Sequence, residues 1–159
     1  MSLFVEHEEV TMKIWIDADA CPKVVKEIIF KASARLDIVT YVVANKAMYV
    51  PSSALIRMVQ VAGGPDVADD HIAEHAEAND IAITQDIPLA ARLVEKKVVV
   101  IGPRGYEYDE ENISERLSVR DFMTDLRDSG ITTDGPKAFS QRDKQKFANA
   151  LDRALTRAR

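Results

Sequence analysis

Between Lys13 and Ile101 the chain alternates short apolar runs with stretches of helical periodicity, and this restricts the architectures open to it. Lys13–Asp17 reads as a strand. Pro22 to Arg35 reads as a helix, with Val24, Val25, Ile28, Ile29 and Ala32 at helical spacing. Ile38–Ala44 is near-continuously apolar, as a strand covered on both faces must be. Leu55–Ala62 suits either a strand or a short Ser-capped helix, and the strand is the preferred reading. After the Gly63-Gly64-Pro65 break, Asp66 to Ala78 reads as a helix. Ile81–Thr84 follows as a strand, then a helix capped by Asp86 with Pro88 in its first turn, then a strand at Lys97–Ile101. Strands and helices alternating at this spacing imply an α/β fold, a mainly parallel sheet of four to five strands flanked by helices in three layers. The last third reads as helical. Ile113, Leu117, Phe122 and Leu126 are expected to line one side of a segment stopped by Gly130. Beyond a Thr132–Pro136 loop, Ser140 and Asp143 open a final helix with a Phe147, Leu151, Ala154 and Leu155 stripe.

Parallel strands place all their carboxyl ends on one edge, where ligands bind in open α/β sheets. Asp17 and Asp19 follow the first strand there. Asp66, Asp69 and Asp70 open the helix after the third, and Asp86 follows the fourth. If the backbone stays extended, the side chains of Asp17 and Asp19 leave the same face about 6.6 Å apart. Each aspartate alone can be read as a helix cap, since caps favour this residue. Capping does not account for acidic residues following three separate strands on a common edge. Carboxylates converging without thiolates suit a hard cation such as Mg²⁺ or Mn²⁺. On the same edge Lys46 and Arg104 are candidates to hold substrate phosphates, or are ordinary loop residues.

The charge distribution fits such a site. The net charge of −5 argues against nonspecific coating of nucleic acid. Pro136–Arg159 nevertheless carries +5, with Lys144 among its basic residues, while Val61–Asp80 has six acidic residues and no Lys or Arg. An acidic centre beside a basic flank is what a metal-dependent enzyme acting on phosphates requires, although a solvated helix face has the same composition. The single cysteine, Cys21, excludes an internal disulfide and fits a reducing cytoplasm. Residues 1–12 lack the features of a signal peptide, and no apolar run is long enough to span a membrane. Length and composition suit one soluble domain. Oligomeric state is not legible.

The motifs Asp17-Ala-Asp-Ala-Cys-Pro22, Gly64-Pro-Asp66-Val-Ala-Asp69 and Ile83-Thr-Gln-Asp86-Ile-Pro-Leu-Ala90 closely resemble the YaiI/YqxD family of bacterial proteins. The likeness continues through Pro103-Arg104-Gly105, Asn112-Ile113, Arg120-Asp121-Phe122-Met123 and Gly135-Pro136 to Ser140-Gln-Arg-Asp143. It covers Met12 to Arg157 and leaves residues 1–11 as an extension, with 12–159 a single domain. The family has no established activity but is placed among PIN-like nuclease folds. The resemblance therefore implies an acidic, divalent-metal site with Asp17, Asp69 and Asp86 as ligands, Asp19 and Asp66 being auxiliary. The reading is metal-dependent hydrolysis of phosphodiester bonds in RNA or DNA.

Other readings stay open at this point. Asp17-x-Asp19 suits an aspartyl phosphatase with Asp17 as nucleophile and Asp19 as acid/base, although Cys21 stands where Thr or Val is usual and no Lys motif follows. His71-Ile-Ala-Glu74-His75 has the spacing of a zinc helix but no distal ligand. A cysteine-phosphatase loop would need an Arg where Glu27 stands. An RNA- or protein-binding module that kept the fold without the chemistry is the non-enzymatic reading.

Overall fold

The computed structural model describes residues 11–130 and 138–158. β1 (Ile14–Asp17) leads through a 3₁₀ turn at Ala18–Ala20 into α1 (Lys23–Leu36), then β2 (Thr40–Ala44) and β3 (Ile56–Gln60). The chain continues through α2 (Val67–His75), β4 (Ile81–Ile83), α3 (Ile87–Glu95), β5 (Val99–Ile101) and β6 (Glu107–Tyr108) to α4 (Ile113–Asp128) and α5 (Gln141–Ala158). The strands form one sheet in the order β3-β2-β1-β4-β5-β6. All pairings are parallel except that of β6, which runs antiparallel to β5.

Two-residue alternation along β1 divides the core between the faces of the sheet. Ile14 and Ile16 pack with Val25 and Ile29 of α1 and with Phe147 and Leu151 of α5. Trp15 packs with Ile72 of α2 and with Leu89 and Leu93 of α3 on the other face. The result is three layers, helices covering a sheet on both sides. The expected stripe Phe147, Leu151, Ala154 and Leu155 of α5 is fully buried. That helix opens on a reciprocal cap, in which Ser140 N–H donates to Asp143 Oδ2 at 3.0 Å and Asp143 N–H donates to Ser140 Oγ at 3.1 Å.

The structure departs from the sequence expectation in three places and bears out the preferred reading in one that was ambiguous. The sheet has six strands rather than four or five, because the two residues of β6 are too short to carry an alternation signal. β3 is a strand, and its ambiguity has a cause: it is an edge strand in which only Ile56 is buried. Pro22 is the N-cap of α1 rather than a first-turn residue. The third difference is α4, none of whose residues is fully buried. Phe122, expected to share a packed side with Ile113 and Leu117, is 61% exposed. The five-residue step from Leu117 to Phe122 turns the helix by about 140°, at about 100° per residue, and carries Phe122 off that side. α4 lies against α3 rather than against the sheet. The expected Thr132–Pro136 loop lies outside the described residues.

At the amino edge of the sheet a buried carboxylate ties β1 to β4. Asp80, 2% exposed, accepts hydrogen bonds from Lys13 N–H at 3.0 Å, Trp15 Nε1–H at 3.0 Å and Glu77 N–H at 2.9 Å. Lys13 Nζ lies 3.7 Å from the same carboxylate. Removing the acceptor strands three donors, each costing about 1–3 kcal/mol if left buried and unpaired. Asp80→Ala is therefore expected to lower unfolding stability by about 3 kcal/mol or more in urea denaturation. Asp80→Asn, which keeps one acceptor oxygen, should lose less.

Candidate functional site

β1 lies where the strand order changes direction, with β2 and β3 on one side and β4, β5 and β6 on the other. The connections leaving β1 and β4 therefore diverge, and such a switch point opens a crevice at the carboxyl edge. Asp17 is the last residue of β1 and is half-buried in that crevice. Thr84, directly after β4, donates its hydroxyl to Asp17 Oδ2 at 2.7 Å and accepts the Asp86 N–H at 3.0 Å. Asp86 is the N-cap of α3, as expected, its Oδ1 accepting the Leu89 N–H at 3.0 Å. Asp69 enters from the first turn of α2. Carboxylates from three separate segments thus lie on this edge within electrostatic reach of one another.

Their titration reflects this crowding. Asp69 is pushed up to about 7, first by burial, then by the charge of Asp86 and a hydrogen bond to it, then by Asp17 and Asp66. Asp17 is raised by burial, with the charges of Asp86 and Asp19 adding to it, while the Thr84 hydroxyl pulls the other way. Asp69 therefore keeps its proton into mildly acidic solution, hydrogen-bonded to Asp86.

The remaining acidic candidates divide. Asp66 is the N-cap of α2 in left-handed backbone (φ 72°), and its exposed side chain makes no cap hydrogen bond. Its charge still reaches Asp69. Asp70 turns outward to an ion pair with Arg92 at 2.8 Å. Asp19 does not continue an extended strand, because the chain turns into the 3₁₀ segment after Asp17. Its carboxylate instead accepts the Asn45 N–H at 2.9 Å and ties the β1 turn to the end of β2.

The cationic candidates divide too. Lys46 is exposed just past β2, on the acidic edge. Arg104 is engaged with Asp143 at 2.8 Å and lies over the Phe139 ring, which ties the β5–β6 turn to the start of α5. Gly105 makes the same contact so closely that a Cβ there would lie 2.7 Å from the Lys146 backbone. That contact sets the first turn of α5, with half-buried Lys144, beside the loop leaving the carboxyl end of β5. At the other end of α5, Arg153 pairs with Glu107 at 2.7 Å, and Arg157 lies 3.7 Å from the same residue.

Two residues of the site carried no functional signal in the sequence reading. Thr84 lies within the Ile83-Thr-Gln-Asp86 motif, yet only the fold shows that its hydroxyl joins Asp17 to Asp86. Asn45 directly follows β2, and nothing in its sequence context marks it. Its Oδ1 is buried without a hydrogen-bond partner. The other readings can be placed as well. His71 and His75 stack on each other at 4.2 Å beside Trp15, and His75 Nδ1 contacts the His71 carbonyl oxygen at 2.8 Å. The Cys21 thiol is buried and pushed up to about 12, which leaves it protonated. Among the described residues no three His, Cys, Asp or Glu side chains enclose a ready-built ion site. The carboxylates are nevertheless near enough to perturb one another, and they present only oxygen, the donor type a hard cation takes.

The sequence profile described as "Uncharacterized BCR, YaiI/YqxD family" matches residues 15–157. The chain belongs to the YaiI/YqxD family. Its relatives include a UPF0178 protein of Myxococcus xanthus, 58% identical over 92% of this chain and 95% of its own. Another, from Trichlorobacter lovleyi, is 56% identical with the same coverage. A third, from Aliivibrio fischeri, is 55% identical over 93% of this chain and 99% of its own. No solved structure matches. The YaiI/YqxD match spans every residue of the acidic edge described above.

The raised pKa of Asp69 makes a signed prediction for this YaiI/YqxD protein in metal-free buffer. The ordinary value is 3.8. Below it Asp69 is protonated in folded and unfolded chain alike. As pH rises toward about 7 the unfolded chain ionises freely and the folded chain does not, so stability is lost across that window. Asp69→Asn, which cannot ionise, should melt higher than wild type at pH 8, with the difference closing by about pH 4. Parallel melting curves across the range would rule out the crowding.

Proposed function

We propose that the protein hydrolyses phosphodiester bonds of RNA or DNA, using a Mg²⁺ or Mn²⁺ ion held by Asp17, Asp69 and Asp86. The observation that carries this reading is that those three carboxylates lie within electrostatic reach of one another at the switch point between β1 and β4. A PIN-like arrangement of the α/β sheet is consistent with it. The donor set fits a hard cation, and the unpartnered buried Asn45 Oδ1 is a further oxygen beside the turn that Asp19 anchors. When bound, such a cation supplies Lewis acidity toward a phosphoryl oxygen and toward water.

The chain's own residues do the positioning. Thr84 holds Asp17 and the backbone of Asp86 in one hydrogen-bonded unit, so these two carboxylates do not move independently. The N-terminus of α3, through Leu89 N–H, fixes Asp86. Asp69, whose hydrogen bond to Asp86 helps it keep a proton, would have to give that proton up to hold a cation. Asp19 and Asp66 add negative charge around the centre without sharing its hydrogen bonds. Lys46, and Lys144 on the first turn of α5, stand on the same edge as counter-charges for substrate phosphates. Arg104 serves that role less directly, since Asp143 already neutralises it.

Asp17→Asn keeps shape and removes the charge that holds a hard cation. The variant is expected to fold, and its Mn²⁺-dependent cleavage of single-stranded RNA or DNA should fall by orders of magnitude. Wild type should melt higher with Mn²⁺ present, because a ligand bound only by the folded state stabilises it, and Asp17→Asn should lose that shift. A wild type that neither shifts nor cleaves would defeat the proposal. A shift without cleavage would leave a metal-stabilised binding module. In a separate titration, Lys144→Glu with Lys146→Glu should weaken nucleic-acid binding and flatten its salt dependence, and unchanged binding would return that turn to a solvated surface.

A further inference from the structure

The chain between β2 and β3, residues 45–55, leaves the carboxyl edge beside the acidic centre and returns over the first turns of α1. Its start is fixed there by the hydrogen bond from Asn45 N–H to Asp19. Between this loop and α1 lies a cavity of about 480 Å³. Phe30, Met48 and Pro51 supply apolar lining, and Lys23, Lys26 and Glu27 supply charge. Tyr49 stands at the same cavity with 85% of its surface exposed, the most exposed aromatic side chain among the described residues. Lys26 Nζ is held at 3.3 Å from Met48 Sδ, so one cation lies directly on the apolar wall.

A ring this exposed adds little to the core, and an apolar cavity rimmed by two lysines has the chemistry of a base with its phosphate. A nucleobase offers a flat apolar face for the ring and the cavity wall, and its backbone offers the negative charge that lysines neutralise. A base inside a duplex has both faces already stacked, so only an unpaired strand can present one. Glu27 is the acidic member of the lining, an acceptor for the amino and imino groups of a base edge.

We propose that this cavity is a base-binding subsite for single-stranded nucleic acid, with Tyr49 stacking the base and Lys23 and Lys26 holding the adjoining phosphate. The proposal deepens the nuclease reading, since it names the unpaired strand as substrate and gives it a path onto the acidic edge. Stacking also predicts tolerance of base identity, because every base has a π face.

The test is fluorescence anisotropy of labelled oligouridylate, oligothymidylate and a DNA duplex on the full chain, with chelator and with Mn²⁺. Tyr49→Ala should weaken binding of a single strand by about fivefold to a hundredfold, and Tyr49→Phe should restore it to within about twofold. Neither should change duplex binding or the melting temperature, since Tyr49 is exposed. Lys23→Gln with Lys26→Gln should lower the salt slope by about 1.4, the loss of about two phosphate contacts on a single strand. Wild-type binding of a single strand that is absent in both buffers, or that Tyr49→Ala leaves unchanged, overturns the subsite. So does an equal loss on the duplex. The two readings fail separately. Tyr49-dependent binding without Mn²⁺-dependent cleavage keeps the subsite and removes the nuclease. Cleavage lost in Asp17→Asn but indifferent to Tyr49 keeps the nuclease and removes the subsite.

Discussion

β1 is hydrogen-bonded along both edges and buried on both faces, and the other layers take their places from it. Ile14 and Ile16 face α1 and α5, Trp15 faces α2 and α3, and β2 and β4 pair with it in parallel on either side. A strand enclosed this way has one exit at its carboxyl end, and Asp17 occupies it. The buried Asp80 carboxylate holds the opposite end by accepting from the Lys13 backbone and the Trp15 ring. One strand is thereby fixed at both ends by carboxylates with opposite uses. Asp80 is saturated with donors, whereas Asp17 has one hydroxyl and several like charges around it.

That contrast explains why the acidic edge is chemically poised and the amino edge is not. Like charges a few ångströms apart cost stability, and the fold offsets part of that cost with groups it provides anyway. The N-terminus of α3 stabilises Asp86, and the Thr84 hydroxyl stabilises Asp17. Asp69 receives no such support, and it is the carboxyl driven furthest from its ordinary value. A divalent cation would relieve the same repulsion. On the function proposed above, that ion would need no group dedicated to it beyond the carboxylates.

The helices outside the two main layers follow a different logic. α5 packs its apolar stripe against the sheet and α1, and its two ends are tied by opposite means. Gly105 approaches it at Lys146 too closely for a side chain, while Glu107 gathers Arg153 and Arg157 further along. The basic character of the C-terminal segment is thus partly spent on structure, and what faces the acidic edge is the first turn. α4 rests mainly on α3, so its apolar residues divide between that contact and solvent.

The strands β1, β2, β4 and β5, the helices between them and the cap at Asp86 were legible in the chain because each rests on local chemistry. Apolar runs of strand length, helical spacing and turn residues act over a few positions. The alternation also dictated the parallel sheet, and with it the shared edge for Asp17, Asp69 and Asp86. Local pattern could not say which acidic residues on that edge would meet. Asp70 and Asp19 have the same composition and nearly the same positions as Asp69 and Asp17, yet Arg92 takes one and the Asn45 backbone takes the other. The joining role of Thr84, the pairing of Arg104 with Asp143 and the outward turn of Phe122 are of the same kind. Each depends on a partner 22 or more positions away or on the rotation of a whole helix, distances over which sequence spacing carries no geometry. Pairing at that range is decided by how the layers pack, and only the tertiary structure contains it.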